Sequence, residues 1–239
     1  MADPTSIPAH ASPSSPHVLV VADGDVPARG ALDAAWPGWD EGVVDVIAAD
    51  GGFARARALG LRPGLLLGDL DSLDPAVAAA AEADGVEVRR ARPDKDESDT
   101  ELALLAARAR GAGRITVLGA FGGRRLDHAL ANVWLLAHPA LSTTSVVMLD
   151  AGSRVRLLGA SAAGGPATHA MPGPVGATVT LLPFGGDVTG ITTQGFRYPL
   201  AGETLLTGPA RGLSNVRASA DASVTFRTGC LLVVETALR

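Results

Sequence analysis

The chain has little of several residue types, and each scarcity excludes a class of protein. Its 239 residues contain one cysteine, Cys230, so a disulfide within the chain and a cysteine-based metal site are both excluded. Cys230 lies in an apolar run, which predicts a buried strand residue. No apolar run is long enough to cross a membrane, and the basic residues are dispersed in a chain of net charge −5. We therefore expect neither a membrane nor a nucleic acid as a partner.

Two common nucleotide-binding motifs are also absent. The chain has no Gly-Lys-Ser/Thr sequence and no Gly-x-Gly-x-x-Gly after a strand. The main sequence evidence for a P-loop enzyme or a dinucleotide dehydrogenase is therefore lacking. Lys95 is the single lysine among 20 Lys and Arg residues, and it lies in the acid-rich run 92–101. It is either a surface charge beside acids or a compact ammonium that serves phosphate or crowded carboxylates.

The length of the chain suits two small domains. Residues 1–16 are rich in Pro and Ser and lack both the basic start and the apolar core of a secretion signal. This composition predicts a disordered tail and a cytoplasmic protein.

Residues 17–158 alternate short aliphatic runs with alanine-rich stretches, which predicts an α/β domain with a mostly parallel sheet. The strand runs are almost wholly apolar, so the sheet is expected to be covered on both faces. The predicted strands are 18–21, 43–48, 65–67, 86–89, 115–118 and 146–149, and the predicted helices are 53–59, 75–84, 99–110 and 126–137.

The composition and the hydrophobic pattern of the sequence change after this domain. Residues 159–176 are so rich in Gly and Pro that they are expected to be a linker without regular structure. Residues 177–239 contain short strand-like runs spaced by turns, which predicts a small all-β domain, an antiparallel sandwich or a barrel. Its predicted strands are 178–182, 188–193, 214–218, 223–226 and 231–235.

Unusual residues follow four consecutive strands of the predicted α/β domain. Asp50-Gly51-Gly52 follows the second strand, the turn 68–72 follows the third, the Lys95 run follows the fourth, and the glycine-rich segment 119–128 follows the fifth. Because ligands of open parallel sheets bind beyond the carboxyl ends of the strands, these residues predict one binding site.

The acids in these turns are typical of a magnesium site. Asp69 and Asp71 can offer two hard oxygens to one cation, and Asp50, Asp96 and Asp99 can complete or neighbour the site. Two plainer interpretations stay open. Asp71-Ser72 fits an ordinary turn, and Ser98 with Glu101 fits a helix capping box, which leaves Asp99 available for another task.

The segment Gly122-Gly123-Arg124-Arg125 is suited to phosphate. Its glycines let backbone amides approach an anion, a guanidinium neutralises charge, and the following helix adds its positive end. His128 and Asn132 share one face of that helix, where they form either part of the site or a structural hydrogen-bonded pair.

Taken in order, these motifs resemble those of the thiamine pyrophosphokinase family, and Gly195-Phe-Arg-Tyr198-Pro-Leu200 and Arg211-Gly-Leu-Ser214-Asn215 resemble its thiamine-side motifs. The resemblance implies an N-terminal α/β domain, a C-terminal β-sandwich and a homodimer with active sites between subunits. It also implies a reaction in which ATP and thiamine give thiamine diphosphate and AMP, with Mg²⁺ as cofactor and ATP as co-substrate.

The resemblance also assigns roles to individual residues. Asp69, Asp71 and Asp99 correspond to the Mg²⁺ ligands, with Asp50 and Asp96 close to the metal and phosphates. Asp50, Asp71, Lys95 and Asp99 are the implied catalytic set. The implied substrate-binding residues are Gly51, Gly52, Asp96, Gly122, Gly123, Arg124, Arg125, Asp127, His128 and Asn132 on the nucleotide side, and Tyr198, Ser214 and Asn215 on the thiamine side.

Several alternatives stay open at this point. Arg124 and Arg125 both precede Leu126, so either can be the phosphate-binding arginine. Tyr198 can stack on a cationic thiazolium or pack in the sandwich core. The chain has no obvious nucleophile, which favours direct in-line attack without a phosphoenzyme. A Mg²⁺-dependent nucleotide pyrophosphohydrolase and a non-catalytic nucleotide or thiamine sensor are the competing functions.

Overall fold

The computed structural model describes residues 15–70, 73–123, 125–161 and 164–238 of the chain. These residues fall into two compact units, of which the first ends at Ala151 and the second begins at Gly152. Most of the predicted tail, residues 1–16, lies outside the described residues. None of the helices in the described part is long and apolar enough to cross a membrane.

The first unit alternates strands and helices along the chain. Its strands are β1 (His17–Val21), β2 (Val43–Ala49), β3 (Leu65–Gly68), β4 (Glu87–Arg90), β5 (Arg114–Leu118) and β6 (Ser145–Leu149). Its helices are α1 (Arg29–Ala35), α2 (Gly52–Ala58), α3 (Pro75–Ala83), α4 (Asp99–Ala109) and α5 (Leu126–Leu135), followed by a 3₁₀ turn at Pro139–Leu141.

All strand pairs of the first unit are parallel, in the order β6-β5-β1-β2-β3-β4. The predicted α/β class is confirmed, and all five residues of β1 are buried, as expected for a strand covered on both faces. Helix α1 was not predicted. It has seven residues, and no side chain caps its N-terminus, so its local signal is weak.

His17 is a buried polar side chain at the start of β1. Its Nε2 lies 2.9 Å from Thr116 Oγ1, and its Nδ1 lies 3.0 Å from both the Glu41 carbonyl and Arg114 Nη2. Burial is the main reason that the pKa of His17 is lowered from its ordinary value of 6.5, and the nearby Arg114 lowers it further, against the raising effect of Glu41 and Asp40.

The lowered pKa of His17 predicts a pH-dependent stability. Below about pH 6.5 the unfolded chain takes up a proton at His17 that the folded chain resists, so the free energy of unfolding should fall, by at most about 1.4 kcal/mol per pH unit. Denaturant unfolding between pH 7.5 and 5.5 measures this slope. His17→Gln should flatten the slope, whereas equal slopes in the wild-type protein and this variant would contradict the assignment.

The second unit contains only strands. They are β7 (Ser153–Gly159), β8 (Ala167–Pro172), β9 (Thr178–Pro183), β10 (Val188–Gln194), β11 (Ala201–Leu205), β12 (Asn215–Val216), β13 (Asp221–Phe226) and β14 (Cys230–Thr236). They form two antiparallel sheets, with the orders β12-β9-β14-β7 and β11-β10-β13-β8.

Side chains from both sheets form one apolar core, which includes Met171, Leu181, Phe226 and Val233. This confirms the predicted all-β region, since each sheet buries one face against the other. Cys230 is buried at the start of β14, as expected.

The structure differs from the prediction for residues 159–176. Strand β8 occupies Ala167–Pro172 and pairs with β13 along its whole length, so the prediction of irregular structure throughout this segment is wrong. The division between the two units also falls earlier, at Ala151 and Gly152, and β7 belongs to the second unit. Pairing with a distant strand decided the state of β8, against the Gly and Pro that flank it.

Candidate functional site

A cavity of about 450 Å³ lies at the carboxyl edge of the parallel sheet in the first unit. Its walls come from the loops after β1, β2, β4 and β5, from the first turn of α4 and from the first two turns of α5. Among the predicted site residues, those that line it are Asp50, Lys95, Asp99, Gly122, Gly123, Arg125, His128 and Asn132.

Three carboxylates converge at this edge. One oxygen from each of Asp50, Asp69 and Asp99 lies within 4.8 Å of the other two. Asp50 follows β2, Asp69 follows β3, and Asp99 opens helix α4. Gly68 makes this approach possible, because a Cβ at that position would lie 3.3 Å from both the Asp50 Cβ and Asp99 Oδ1.

Strained backbone conformations occur at predicted site residues in both units. Three non-glycine residues in the described part of the chain have positive φ, namely Asp50 (48°), Leu70 (58°) and Ser214 (58°). All three are predicted site residues or neighbours of one. Because such conformations persist only where the surrounding structure imposes them, they support a functional role for these turns.

Lys95 lies against the acidic cluster. Its Nζ is 3.0 Å from Asp99 Oδ1 and 3.9 Å from Asp69 Oδ2, and its side chain is only 14% exposed. Burial on its own would lower the pKa of Lys95, but Asp99, Asp69 and Asp50 outweigh this effect and raise it above its usual value. The interpretation of Lys95 as a surface charge is therefore wrong, and its ammonium partly neutralises the three carboxylates.

The acidic cluster fits a magnesium ion in its chemistry. Asp50, Asp69 and Asp99 offer hard carboxylate oxygens, and Mg²⁺ is commonly held by one or two such groups together with waters and substrate phosphates. Asp71, predicted as a further ligand, lies outside the described residues. Asp96 is exposed and is not among the side chains that line the cavity.

Ser98 caps helix α4, as predicted. Its Oγ accepts a hydrogen bond from the Glu101 amide at 3.1 Å, and Asp99 follows in the first helical turn. The Glu101 carboxylate lies 3.4 Å from His138 Nε2. The cap therefore fixes the point at which Asp99 enters the acidic cluster.

The glycine-rich segment after β5 is held by a residue that the sequence did not single out. The Gly123 amide donates a hydrogen bond of 3.1 Å to Asp25 Oδ2. A Cβ on Gly122 would lie 2.1 Å from the same oxygen, so only glycine fits there. The Gly123 amide, which we expected to face phosphate, is thus bonded to Asp25. Arg124 lies outside the described residues.

Arg125 lines the cavity next to Asp127. Its Nε donates to Asp127 Oδ1 at 2.9 Å, and this hydrogen bond holds the pKa of Asp127 well below its ordinary value. Both side chains are exposed. An incoming phosphate would therefore compete with a carboxylate for the Arg125 guanidinium.

His128 and Asn132 of α5 have different environments. Asn132 is buried, and its Nδ2 donates to the Ala120 carbonyl at 2.8 Å, which ties the helix to the end of β5. His128 is exposed at the cavity. Asn132 thus has a structural bond, but its partner is the backbone and not His128.

Gly51 and Gly52 have a packing role in the structure. A Cβ on Gly51 would lie 2.2 Å from Asp23 Oδ1, and a Cβ on Gly52 would lie 2.0 Å from the Val21 carbonyl oxygen. These glycines let the start of α2 approach the end of β1. Arg55 of α2 reinforces the contact, since its Nη2 donates to the Asp23 carbonyl at 2.8 Å.

Sequence reasoning missed the loop after β1, which carries Asp23 and Asp25. The signal was present, because Asp23-Gly24-Asp25 is an acidic turn after a strand, like those that were recognised. Asp23 lines the cavity, and Asp25 holds the glycine-rich segment.

The predicted thiamine-side residues lie in the second unit. Tyr198 is 59% exposed, with the Arg197 guanidinium 5.7 Å from its ring centre, so it is not a core residue. Asn215 is buried, and its side chain bonds the Tyr198 amide at 3.1 Å and the Tyr198 carbonyl at 2.7 Å. The Ser214 amide donates to Thr180 Oγ1 at 3.0 Å. Asn215 therefore supports the Tyr198 backbone.

Comparison with known proteins gives consistent matches to both units. The family model "Thiamin pyrophosphokinase, catalytic domain" matches residues 41–148, and "Thiamin pyrophosphokinase, vitamin B1 binding domain" matches residues 168–231. The thiamine pyrophosphokinase of Bacillus subtilis (strain 168) is 24% identical over 200 residues, which cover 83% of this chain and 86% of that protein.

Solved structures of similarly named proteins share the fold. The Bacillus subtilis thiamine pyrophosphokinase matches with a TM-score of 0.78 and 24% identity, covering 92% of this chain and 99% of that one. The Geobacillus thermodenitrificans protein has a TM-score of 0.76 and 25% identity, covering 93% and 98%. Yeast thiamin pyrophosphokinase has a TM-score of 0.75 at 14% identity, covering 96% and 89%.

Proposed function

The chain belongs to the thiamine pyrophosphokinase family, and from this premise we propose that it transfers a diphosphoryl group from ATP to the hydroxyl of thiamine, giving thiamine diphosphate and AMP. The observation that carries this proposal is the acidic cluster with Lys95 beside a cavity that also presents Arg125. Transfer of this kind depends mainly on positioning and charge neutralisation, which these side chains can supply.

In the proposed mechanism, Asp50, Asp69 and Asp99 would hold a magnesium ion, with Asp71 as a further candidate ligand. When bound, the ion would supply electrophilic assistance to the transferred phosphorus atom. The thiamine oxygen attacks the β-phosphorus, the bond from that phosphorus to the α–β bridging oxygen breaks, and AMP leaves with that oxygen. A carboxylate at the site accepts the hydroxyl proton.

Two cationic side chains would stabilise the charge on the transferred group. Lys95 is already held between Asp69 and Asp99, so its ammonium is oriented before the substrate arrives. Arg125 lines the cavity and is proposed as a phosphate ligand, and Arg124 stays a candidate for the same role. The attack is direct, and no phosphoenzyme is formed.

Product analysis tests the proposed reaction. Purified protein with ATP, Mg²⁺ and thiamine should form thiamine diphosphate and AMP in equal amounts, with neither product when thiamine is left out. AMP release without thiamine would favour the pyrophosphohydrolase, and ligand binding without any product would favour the sensor. A phosphorylated residue trapped with labelled ATP would refute direct attack.

Tyr198 is proposed as the aromatic contact of thiamine, with Ser214 nearby and Asn215 as its backbone support. Stacking on a cationic ring is worth about 0.5–2 kcal/mol, so Tyr198→Ala should raise the thiamine KM roughly 2- to 30-fold and leave the ATP KM nearly unchanged. Tyr198→Phe keeps the ring and should behave like the wild type. Equal effects of Tyr198→Ala on both KM values would indicate a packing role instead.

We also propose that the chain acts as a homodimer whose active sites lie between subunits. Helix α5 supports this, because Leu126, Leu130 and Trp134 repeat at four-residue spacing and are 74%, 50% and 62% exposed. The same helix carries His128 and Asn132 of the cavity, so a subunit packed on it would lie next to the site.

Trp134→Glu should weaken the dimer about 100-fold or more, because a buried aromatic anchor would become a charge at the interface. Sedimentation over a range of protein concentrations measures the effect. Val44→Glu is the matched control, since Val44 is an exposed apolar residue on β2 that the proposal leaves outside the interface. An unchanged dimer in Trp134→Glu would contradict the proposed surface.

A further inference from the structure

The second unit contains a buried charge cluster that the proposed reaction does not use. Three arginines, Arg154, Arg156 and Arg217, surround the carboxylate of Glu235. Arg154 Nε and Arg217 Nη2 each lie 2.7 Å from a Glu235 oxygen. Arg217 and Glu235 are almost completely buried. Within these four side chains, positive charge exceeds negative charge.

The pairing of strands β7 and β14 builds the cluster. Glu235 lies opposite Arg154, and Val233 lies opposite Arg156. Since alternate residues of a strand share a face, both arginines point to the side on which Val233 joins the sandwich core. Arg217 approaches from the chain after β12, and its Nε donates to the Met171 carbonyl of β8 at 3.1 Å.

Arg156 differs from the other two arginines in its bonding. Its Nε lies 3.6 Å from Glu235 Oε2, which is too far for a hydrogen bond. Its Nε and Nη2 are buried, and neither atom has an acceptor among the described residues. Buried charged donors are normally paired, so two such donors without an acceptor in the described part of the chain point to a bound species.

The charge around Arg156 leads to the same conclusion. Burial is the main cause that lowers the pKa of Arg156, and the charges of Arg154 and Arg217 lower it further, against the single raising effect of Glu235. A second negative charge beside Arg156 would compensate the cost of burying its positive charge and would offset the repulsion from Arg154 and Arg217. The side chain of Arg156 is 13% exposed and that of its neighbour Arg154 is 32% exposed, so the cluster borders solvent on the side of these two arginines.

We propose that Arg156, with Arg154 at its rim, forms a binding site for a small oxyanion within the second unit. The planar guanidinium offers two parallel donors, a geometry that matches two oxygens of one phosphate-like group better than a spherical halide. This site is separate from the cavity of the first unit, since none of its residues lines that cavity. Its ligand would stabilise the β-sandwich, whatever reaction the enzyme catalyses.

Inorganic phosphate is the probe for this site. The full chain is titrated with phosphate at constant ionic strength, without nucleotide or divalent metal, and thermal unfolding is followed. Phosphate can also bind at Arg125 in the first unit, so each protein is measured in an Arg125→Gln background. The Arg125→Gln protein without further changes is the parent, and phosphate should stabilise it in a saturable way. Adding Arg156→Met to this parent should weaken phosphate binding at least about tenfold.

Two further variants define the chemistry. Arg227→Met removes an exposed arginine of the same unit and should bind phosphate like the parent. Arg156→Lys keeps the charge but loses the two parallel donors, so it should also bind more weakly. If Arg156→Met does not fold, anomalous diffraction from parent crystals soaked in selenate should place the anion within hydrogen-bonding distance of Arg156.

The opposite results would overturn the proposal. If phosphate gives no saturable stabilisation in the parent, or stabilises Arg156→Met and the parent equally, the buried donors are satisfied by water and the site does not bind oxyanions. A selenate peak found only at the cavity of the first unit would have the same meaning. None of these outcomes depends on whether the protein makes thiamine diphosphate.

Discussion

Replacing Asp99 with asparagine should lower the rate of thiamine diphosphate formation about 10³-fold, because the variant loses one carboxylate of a metal site that stabilises charge in the transition state by several kcal/mol. Asp99 opens helix α4 and lies within 4.8 Å of both Asp50 and Asp69. Asparagine keeps the size of the side chain, so the helix and its Ser98 cap should remain in place.

Metal binding provides a second readout for Asp99→Asn that does not depend on turnover. Mg²⁺ or Mn²⁺ should raise the melting temperature of the wild-type protein in the absence of nucleotide, and this increase should be largely lost in the variant. Asp84→Asn is the matched control, because Asp84 is an exposed carboxylate at the end of α3. Full activity and normal metal stabilisation in Asp99→Asn would contradict the proposed site.

Lys95→Met should also remove most of the activity, but it should change metal binding in the opposite direction. The loss of rate should be about 10²- to 10³-fold, the usual cost of removing one preorganised cationic or hydrogen-bonding group at a reacting centre. Methionine replaces the stem of the lysine without its charge. The repulsion between the ammonium and a metal ion at the same carboxylates is then gone.

The affinity of the nucleotide-free protein for Mn²⁺ should therefore rise at least about tenfold in Lys95→Met, since charges a few ångströms apart interact by several kcal/mol near a protein surface. Calorimetric titration of Mn²⁺ measures it. Lys95→Arg retains a positive charge and should keep the wild-type metal affinity. Weaker metal binding in Lys95→Met would mean that the lysine organises the carboxylates and does not compete with the ion.

The convergence of the acids could be predicted because it follows from a general property of parallel sheets. Asp50, Asp69 and Asp99 are far apart in the chain, but each follows a strand or opens the next helix, and carboxyl ends of parallel strands share one edge. The same reasoning applies to the turn after β1. Asp23-Gly24-Asp25 also follows a strand, but it was not grouped with the unusual residues that follow the next four strands, so Asp23 and Asp25 were missed.

The roles within the site were harder to predict than its position. Spacing places Asn132 on the same helical face as His128, but it does not indicate that the Asn132 amide is used by the Ala120 carbonyl. Similarly, the family resemblance implied that Asn215 faces thiamine, but it gave no indication that the Asn215 side chain bonds both backbone groups of Tyr198. Hydrogen-bond partners depend on which distant segments fold next to each other.

Hydrophobic periodicity and strand-end chemistry are local properties of the chain, so they were enough to predict the α/β class of the first unit, the all-β character of the second and the location of the acidic edge. The tertiary structure was needed to show that residues 167–172 form a strand, that Lys95 contacts Asp69 and Asp99, and that Nε and Nη2 of Arg156 are buried without an acceptor among the described residues. Each of these outcomes depends on contacts between residues remote in sequence, whose energies outweigh local propensity.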